Sequence, residues 1–255
     1  METLQKLAVP ISIVIAGAMI AVSLYFVNTK PAVANGQQGT VAEEIREVQD
    51  DDHVKGNPNA DIVIVEYSDT ECPFCKQFHE TMNRIISEYG GDGEVAWVYR
   101  HFPIPQLHPK APKQAEALEC AAEQGGNDMF WKYTDKLYAT TKSNNSLDSG
   151  IHNSPAEAPL GPDGKPYYTQ ATPRSATDAG QMSDIAKELG LDVQKFEDCI
   201  ISGRHKARID ADVAEVVAAG GQGTPHSIIL VNGDQVPLEG AQPYETVKGL
   251  IDSLL

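Results

Sequence analysis

The chain has 255 residues, of which 41% are hydrophobic and 22% are charged, and this ordinary globular composition excludes a chain that is disordered throughout. The 36 aspartates and glutamates outnumber the 20 lysines and arginines, which gives a formal net charge of −16. Because such a charge repels phosphate groups, a role in binding nucleic acid is disfavoured.

An uncharged apolar stretch lies near the N-terminus. Residues 7–27 carry no charged side chain over about twenty residues, which is long enough to span a bilayer as a helix. Lys6 precedes this stretch and acidic residues follow it, so residues 1–6 are predicted to be cytoplasmic and the rest to lie outside the cell membrane. Ala32 and Ala34 form an A-x-A pattern, and a signal segment cleaved after Ala34 is the alternative to a single-pass anchor. Both readings place the chain where disulfides persist.

Predicted strands and helices follow in alternation. Residues 28–60 are predicted to be an extracytoplasmic tether, and residues 61–255 a folded domain. The run "IVIVEY" at 62–67 predicts a buried strand. Apolar residues at helical spacing predict a helix over 73–89, and "EVAWVYRHF" at 94–102 predicts a second strand.

The second half of the domain begins with a helical region. Residues from about 110 to 215 have helical periodicity, which is interrupted by the segment 142–180. This segment is rich in Ser, Asn, Pro and Gly and is predicted to be a long mobile loop. The segment 226–240 predicts two strands joined at Asn232-Gly233-Asp234, and a last helix is predicted from about 243. This order predicts an α/β fold with one central sheet.

Cys72 and Cys75 are separated by Pro73 and Phe74. A zinc site needs four ligands and the chain has no second Cys-x-x-Cys, although Cys72, Cys75 and His79 leave a metal-binding protein as an alternative. A purely structural disulfide is disfavoured because closing so short a loop removes little entropy from the unfolded chain. The pair therefore fits reversible redox chemistry best.

Neighbouring residues favour the redox interpretation. Cys72 is predicted to begin a helix, after the capping residue types at 68–70 and before Pro73, which suits the first helical turn. Free backbone N–H groups and the helix dipole favour a thiolate at Cys72, the predicted nucleophile. Cys75, one turn later, is predicted to lie deeper and to act as the resolving cysteine.

Two further features bear on this site. Thr224-Pro225 directly precedes a predicted strand, where a cis peptide bond is one way to place the proline and an ordinary loop is the other. Glu66 stands in an apolar strand six residues before Cys72. A carboxyl group buried there would have a raised pKa and could exchange protons with Cys75, whereas one at the sheet edge would simply meet water.

Four segments together carry a family resemblance: "GNPNADIVIVEYSDTECPFC", "YRHFPI", "ALECAAEQGGNDMFWKYTDKLY" and "GTPHSIILVNG". They resemble the DsbA-like branch of the thioredoxin superfamily, in its membrane-anchored bacterial form, over about residues 51–255. The resemblance implies a thioredoxin-like fold with a helical insertion over about 110–215, preceded by one N-terminal transmembrane helix. It makes Pro225 the family's cis-proline and Thr224 the neighbour that tunes the site. It also implies a structural disulfide between Cys120 and Cys199, with two buried unlinked thiols as the alternative.

The resemblance further implies a protein-disulfide oxidoreductase that acts as a dithiol oxidase. Its substrates would be exported proteins with cysteine thiols, and its partner a membrane reoxidase of the DsbB or VKOR type. No cofactor or metal is implied, and the chain is expected to be a monomer. Phe74 stands where the best-known members have a histidine, and phenylalanine cannot hydrogen-bond a thiolate. A membrane-tethered thiol reductase is therefore the alternative, and a purely structural surface anchor is the last one.

Overall fold

The computed structural model of this protein describes residues 44–140 and 181–255. It contains one sheet whose strands are β1 (His53–Lys55), β2 (Ile62–Ser68), β3 (Val95–His101), β4 (His226–Val231) and β5 (Asp234–Glu239). The spatial order is β1-β3-β2-β4-β5, with β2 and β3 parallel and the other neighbours antiparallel. β2 is therefore the central strand, which excludes the sheet edge for Glu66. Asn232 and Gly233 join β4 to β5 with φ of 52° and 86°, as a two-residue hairpin turn requires.

Helices cover both faces of this sheet. They are α1 (Pro73–Tyr89), α2 (Ala111–Thr140), α3 (Gln181–Glu188), α4 (Val193–Ser202), α5 (Lys206–Ala218) and α6 (Tyr244–Leu254). α2 consists of two helical pieces that meet at Gly126, whose φ of 67° favours glycine. Since α2 to α5 all lie between β3 and β4 in the sequence, the helical region falls where the sequence predicts it.

Side-chain alternation along β2 sorts its residues onto two faces. Ile62 and Ile64 pack into a core with residues of α1, α2 and α6. Val63 and Val65 pack on the opposite face with Val216 of α5. By the same alternation Glu66 follows Ile64 onto the face that α1 covers, so the fold buries a carboxyl group beneath the two cysteines.

A buried ion-pair network ties the N-terminal part of the described chain to the α5 face. Arg100 in β3 is fully buried and pairs with Asp52 at 2.7 Å and with Glu215 at 3.2 Å. Arg46 contacts the same two carboxylates. Because losing one partner of a buried ion pair is costly, this network fixes residues 46–52 against the sheet.

The position of β1 corrects the domain boundary. The sequence predicts a tether over 28–60, yet β1 pairs with β3 inside that range and Ile45 is buried in the core. The predicted start of the domain at residue 61 is therefore wrong, because residues from Ile45 onwards belong to the folded unit. The local sequence hides this, since β1 has only three residues and gains its stability from pairing with β3.

Three predictions fall outside the described residues: the membrane-spanning or signal segment 7–27 with its flank 1–6, the cleavage point after Ala34, and the loop 142–180. Within residues 44–140 and 181–255, no helix is both long enough and apolar enough to cross a membrane.

Candidate active site

Cys72 lies at the N-terminus of α1. It is the N-cap residue, and Pro73 follows it in the first turn. The N-cap position is held by Cys72 itself and has no side-chain capping hydrogen bond, so none of the capping types at 68–70 is the N-cap. Instead, the backbone N–H groups of Phe74 and Cys75 point at the sulfur of Cys72. Because no capping oxygen accepts hydrogen bonds from the first turn of α1, its backbone N–H groups are free to stabilise a thiolate at Cys72.

The two cysteines differ in depth. Both are free thiols; Cys75 is 0% exposed and Cys72 is 5% exposed, while Phe74 between them is 60% exposed. The backbone N–H of Asp69 donates to the sulfur of Cys75 at 3.4 Å. Both cysteines are buried, but Cys72 is the more accessible of the two, which is the asymmetry that thiol–disulfide exchange needs.

The loop before β4 completes the surroundings of Cys72. β4 runs antiparallel to β2, with His226 opposite Tyr67, and this pairing brings the preceding residues to the start of α1. The Thr224–Pro225 peptide bond is cis. The thiol of Cys72 donates a hydrogen bond to the carbonyl oxygen of Thr224 at 3.4 Å. Residues 152 positions apart therefore meet at the sulfur.

The surroundings move the pKa values of the two thiols in opposite directions. The pKa of Cys72 falls to about 6, mainly because the Cys75 thiol donates a hydrogen bond to its thiolate. Burial opposes that fall, and the Thr224 side chain and the backbone N–H groups of Phe74 and Cys75 support it by hydrogen bonding to the thiolate. Burial raises the pKa of Cys75 well above its usual range, and the Cys72 thiolate adds to the rise. Cys72 is therefore largely a thiolate at neutral pH, while Cys75 stays protonated.

These pKa values give an expected pH profile for alkylation. With iodoacetamide in small excess, the rate at Cys72 should rise about tenfold per pH unit below pH 6 and level off above about pH 7, because only the thiolate reacts. Mass spectrometry of quenched samples would locate the label, and Cys75 should stay unlabelled in the folded protein. A midpoint at pH 8 or higher would contradict this assignment.

Glu66 lies beneath the cysteines and is 1% exposed. Burial raises the pKa of its carboxyl group to about 7, although hydrogen bonds from Ser68 and Trp97 limit the rise. The distances are 2.6 Å from Ser68 Oγ to Oε1 and 2.9 Å from Trp97 Nε1 to Oε2. A carboxyl group with this pKa holds a proton half the time near neutral pH, which suits proton transfer.

Asp69 and His108 have contacts at the site that the sequence analysis did not predict. Asp69 is buried, and its carboxylate accepts hydrogen bonds from the backbone N–H groups of Glu71 and Ile104, both at 2.8 Å. His108 Nδ1 lies 2.9 Å from the same carboxylate. Asp69 thus anchors the loop after β3 to the turn that carries Cys72. Asp69 directly follows the buried strand β2, and this position is the sequence feature that could have indicated its role.

His79 does not join the cysteines. The metal-binding alternative needs His79 beside the cysteines, but His79 is 4% exposed and its Nε2 lies 2.7 Å from Asp135 of α2. Among the described residues, the only group of His, Cys, Asp and Glu side chains close enough to share a metal ion is Cys120, Cys199 and His205. Because those two cysteines are bonded to each other, they do not offer thiolates.

Cys120 and Cys199 form the disulfide that the family resemblance implies. It joins α2 to α4 across 79 residues, with Cα atoms 5.8 Å apart, and both cysteines are buried. The alternative of two unlinked thiols is therefore wrong. This bond holds the helical region together across the segment 141–180.

Comparison with known proteins relates this geometry to one family. A family model described as Thioredoxin matches residues 48–253. A crystal structure of Pseudomonas aeruginosa DsbA2 superposes with a TM-score of 0.57 at 28% sequence identity, covering 80% of this chain and 94% of that one. A crystal structure of Wolbachia pipientis α-DsbA1 gives a TM-score of 0.60 at 20% identity, covering 81% and 92%. The second likeness concerns the fold alone.

Curated relatives match over smaller parts of their own length. A Na(+)/H(+) antiporter NhaA 1 of Mycolicibacterium gilvum is 41% identical over 87 residues, which are 34% of this chain and 13% of that protein. A Na(+)/H(+) antiporter NhaA 3 of Salinispora tropica is 28% identical over 202 residues, which are 79% of this chain and 25% of that protein. This chain therefore spans a quarter or less of the relatives it matches.

Proposed function

Since this chain belongs to the thioredoxin family, we propose that it is a thiol:disulfide oxidoreductase that exchanges disulfides with protein thiols through Cys72 and Cys75. One observation carries the proposal: the cysteine at the helix start has a pKa of about 6, and its buried partner has a raised one. That difference makes Cys72 the attacking and leaving thiolate and keeps Cys75 as the internal thiol. One structural neighbour, at 28% identity, is Pseudomonas aeruginosa DsbA2, and its name places it in the DsbA-like branch that the sequence resembles.

In the oxidase direction the reaction starts from a Cys72–Cys75 disulfide. A substrate thiolate attacks the sulfur of Cys72, the bond to Cys75 breaks, and Cys75 leaves and takes up a proton. A second substrate thiolate attacks the substrate sulfur of the mixed disulfide and releases Cys72 as a thiolate. Two substrate thiols thereby become one disulfide, and the two electrons remain on the Cys72–Cys75 pair.

The low pKa of Cys72 favours the oxidase direction. Stabilising the thiolate stabilises the reduced pair, and a stabilised reduced form makes a dithiol protein a stronger oxidant. The side chain of Phe74 argues the other way, because its ring adds no hydrogen bond to that thiolate beyond the one from the Phe74 backbone. A thiol reductase is accordingly the second candidate for the same site.

The substrate would reach Cys72 beside the loop before β4. A groove of about 450 Å³ there is bordered by Thr224, Pro225 and residues of β4 and β5. An extended segment of an exported protein could place its cysteine at Cys72 from this side. We further propose that the protein is a monomer held at the extracytoplasmic face of the cell membrane by residues 7–27. A membrane reoxidase of the DsbB or VKOR type would then renew the disulfide.

The equilibrium potential of the Cys72–Cys75 couple tests the function and its direction. The protein is equilibrated in glutathione redox buffers with the Cys120–Cys199 disulfide intact, and the reduced fraction is counted after alkylation. We expect a potential above that of the glutathione couple, thus less negative than about −200 mV, as in an oxidase. A value close to that of thioredoxin, about −270 mV, would make the protein a reductase. The absence of any reversible couple would refute both directions.

A further inference from the structure

Ser68 hydrogen-bonds the carboxyl group of Glu66 and is within reach of Cys75, which takes up a proton in the proposed reaction. Its Oγ lies 2.6 Å from Glu66 Oε1 and 3.1 Å from the hydroxyl of Tyr138. The Ser68 hydroxyl is also near enough to Cys75 to lower the pKa of that thiol by hydrogen bonding to its thiolate, against the larger effect of burial. Ser68, Glu66, Cys75 and Tyr138 are all buried, at 3% exposure or less. One hydroxyl group thus contacts both the carboxyl and the thiol in a place that bulk water does not reach.

The second carboxyl oxygen of Glu66 fixes where its proton must be. Trp97 Nε1 donates to Oε2, and an indole N–H can only donate. Oε2 is therefore an acceptor whether Glu66 is charged or neutral. The exchangeable proton consequently lies on Oε1, the oxygen that faces Ser68.

A serine hydroxyl can donate one hydrogen bond and accept others at the same time. When Glu66 is charged, Ser68 donates to Oε1. When Glu66 is neutral, Oε1–H donates to Ser68, whose own proton then points to the Cys75 sulfur or to Tyr138. The hydroxyl of Tyr138 can donate onward to the carbonyl oxygen of Asp69 at 3.4 Å. Glu66, Ser68 and Tyr138 therefore stay hydrogen-bonded whether Glu66 is charged or neutral.

We propose that Ser68 is the relay that carries a proton between Glu66 and the thiol of Cys75, and that Tyr138 and Trp97 are positioning residues for it. The inference rests on the proposed exchange reaction and adds a residue to its proton path. Both oxygens of Glu66 are engaged by Ser68 and Trp97, so the carboxyl reaches the sulfur through the serine.

The proton balance in the oxidase direction is complete within these residues. As the Cys72–Cys75 bond breaks, Cys75 leaves with the electron pair. Ser68 gives its hydroxyl proton to that sulfur and receives the Oε1 proton of Glu66 in the same movement. The products are a neutral Cys75 thiol and a Glu66 carboxylate. In the opposite direction the Cys75 thiol returns the proton along the same path as its sulfur attacks Cys72.

Other titratable groups face Glu66 but are not suited to replace Ser68. Burial raises the pKa of Tyr99 and of Tyr138 well above the usual range, so both phenols stay neutral. The Cys72 thiolate has lost its proton at neutral pH. The titratable groups that act on Glu66 from the packed elements are Cys72 and Cys75 of α1, Tyr99 of β3 and Tyr138 of α2, while Asp69 of the turn before α1 acts on Tyr99.

Single-turnover opening of the oxidised pair by reduced glutathione tests the relay. The rate is measured by acid quench from pH 5 to 9 and corrected for the thiolate fraction of glutathione. In the wild type the corrected rate should fall as pH rises through about 7, because charged Glu66 has no proton to give. Ser68→Ala should lose this inflection and be slower at pH 6 by on the order of 100-fold, the lower range for general acid catalysis. Ser68→Thr, which keeps a hydroxyl, should restore the inflection.

Thr70→Val is the matched control. Thr70 is a buried residue of the same turn, and its hydroxyl makes no hydrogen bond to any described residue. This variant should keep the wild-type profile. Glu66→Gln should behave like Ser68→Ala, and the double variant should be no slower than either single one, since all interrupt one path. An inflection that persists in Ser68→Ala, or additive losses in the double variant, would overturn the relay.

A measurement without any exchange reaction separates this inference from the proposed function. Carbon-13 NMR of labelled Glu66 and Cys75 in the reduced protein follows their titration directly. Ser68→Ala should raise the pKa of both groups, because each charged form loses a hydrogen bond, and Thr70→Val should move neither. A shift of only one group would refute the relay. Failure of wild-type opening by glutathione would instead refute the proposed function.

Discussion

Replacing Cys72 with alanine is expected to abolish thiol–disulfide exchange, with a loss on the order of a thousandfold or more, as for other nucleophiles. The reason is that Cys75 is 0% exposed and its pKa is raised, so it cannot meet a substrate disulfide as a thiolate. Oxidation of a reduced model protein and reduction of insulin would both be measured. Comparable rates in Cys72→Ala would mean that another group carries the chemistry.

Cys75→Ala provides the matched variant of that experiment. It leaves Cys72 in place but removes the internal thiol, so a Cys72 thiolate that attacks a substrate disulfide should form a mixed disulfide that Cys75 can no longer resolve. The trapped species should be visible as a higher-mass band in non-reducing gels and should vanish on reduction. A Cys75→Ala protein that turns over normally would show that the two cysteines do not act as a pair. The disulfide Cys120–Cys199 stays intact in both variants.

Removal of the Cys120–Cys199 disulfide is expected to lower the free energy of unfolding by about 4 kcal/mol. The bond closes a loop of 79 residues, and the loss of unfolded-state entropy on closing such a loop sets this magnitude. Urea denaturation of Cys120→Ala/Cys199→Ala would be compared with the wild type, with Cys72 and Cys75 reduced in both. Cys120→Ala alone should lose nearly as much, because either change breaks the cross-link. A loss below about 1 kcal/mol would contradict the structural role, since the chain-entropy term would then be absent.

The same disulfide variant separates stability from chemistry. The groups that lower the pKa of Cys72 come from α1 and from the loop before β4, and none of them belongs to the disulfide. The pH profile of Cys72 alkylation should therefore keep its midpoint near 6 in the folded variant. A large displacement of that midpoint would show that the helical region shapes the site.

The comparison with the antiporter relatives concerns only part of those proteins. One match covers 13% and another 25% of the antiporter's length, while the thioredoxin model covers residues 48–253 of this chain. The longer of the two matches, over 202 residues, is thus of about the same length as the thioredoxin match. The named transport activity belongs to those proteins, and the site around Cys72 accounts for the chemistry proposed for this chain.

The sequence alone determined the elements that depend on local patterns. The buried run at 62–67 and the helical spacing over 73–89 predict β2 and α1, because strand and helix periodicities repeat within a few residues. The spacing of Cys72 and Cys75 around Pro73 likewise predicts a redox pair at a helix start. The family resemblance added the disulfide Cys120–Cys199 and the place of Pro225.

Only the tertiary structure decided how the site works. Ser68 meets Tyr138 across 70 positions, His79 meets Asp135 across 56, and Cys72 meets Thr224 across 152. It also placed β1 in the sheet, which the three-residue strand could not reveal by itself. Contacts of this kind arise when separate elements pack, and no local pattern encodes which buried hydroxyl will face which carboxyl. The sequence therefore determined which sulfur atoms we propose to react, and packing determined which polar groups surround them.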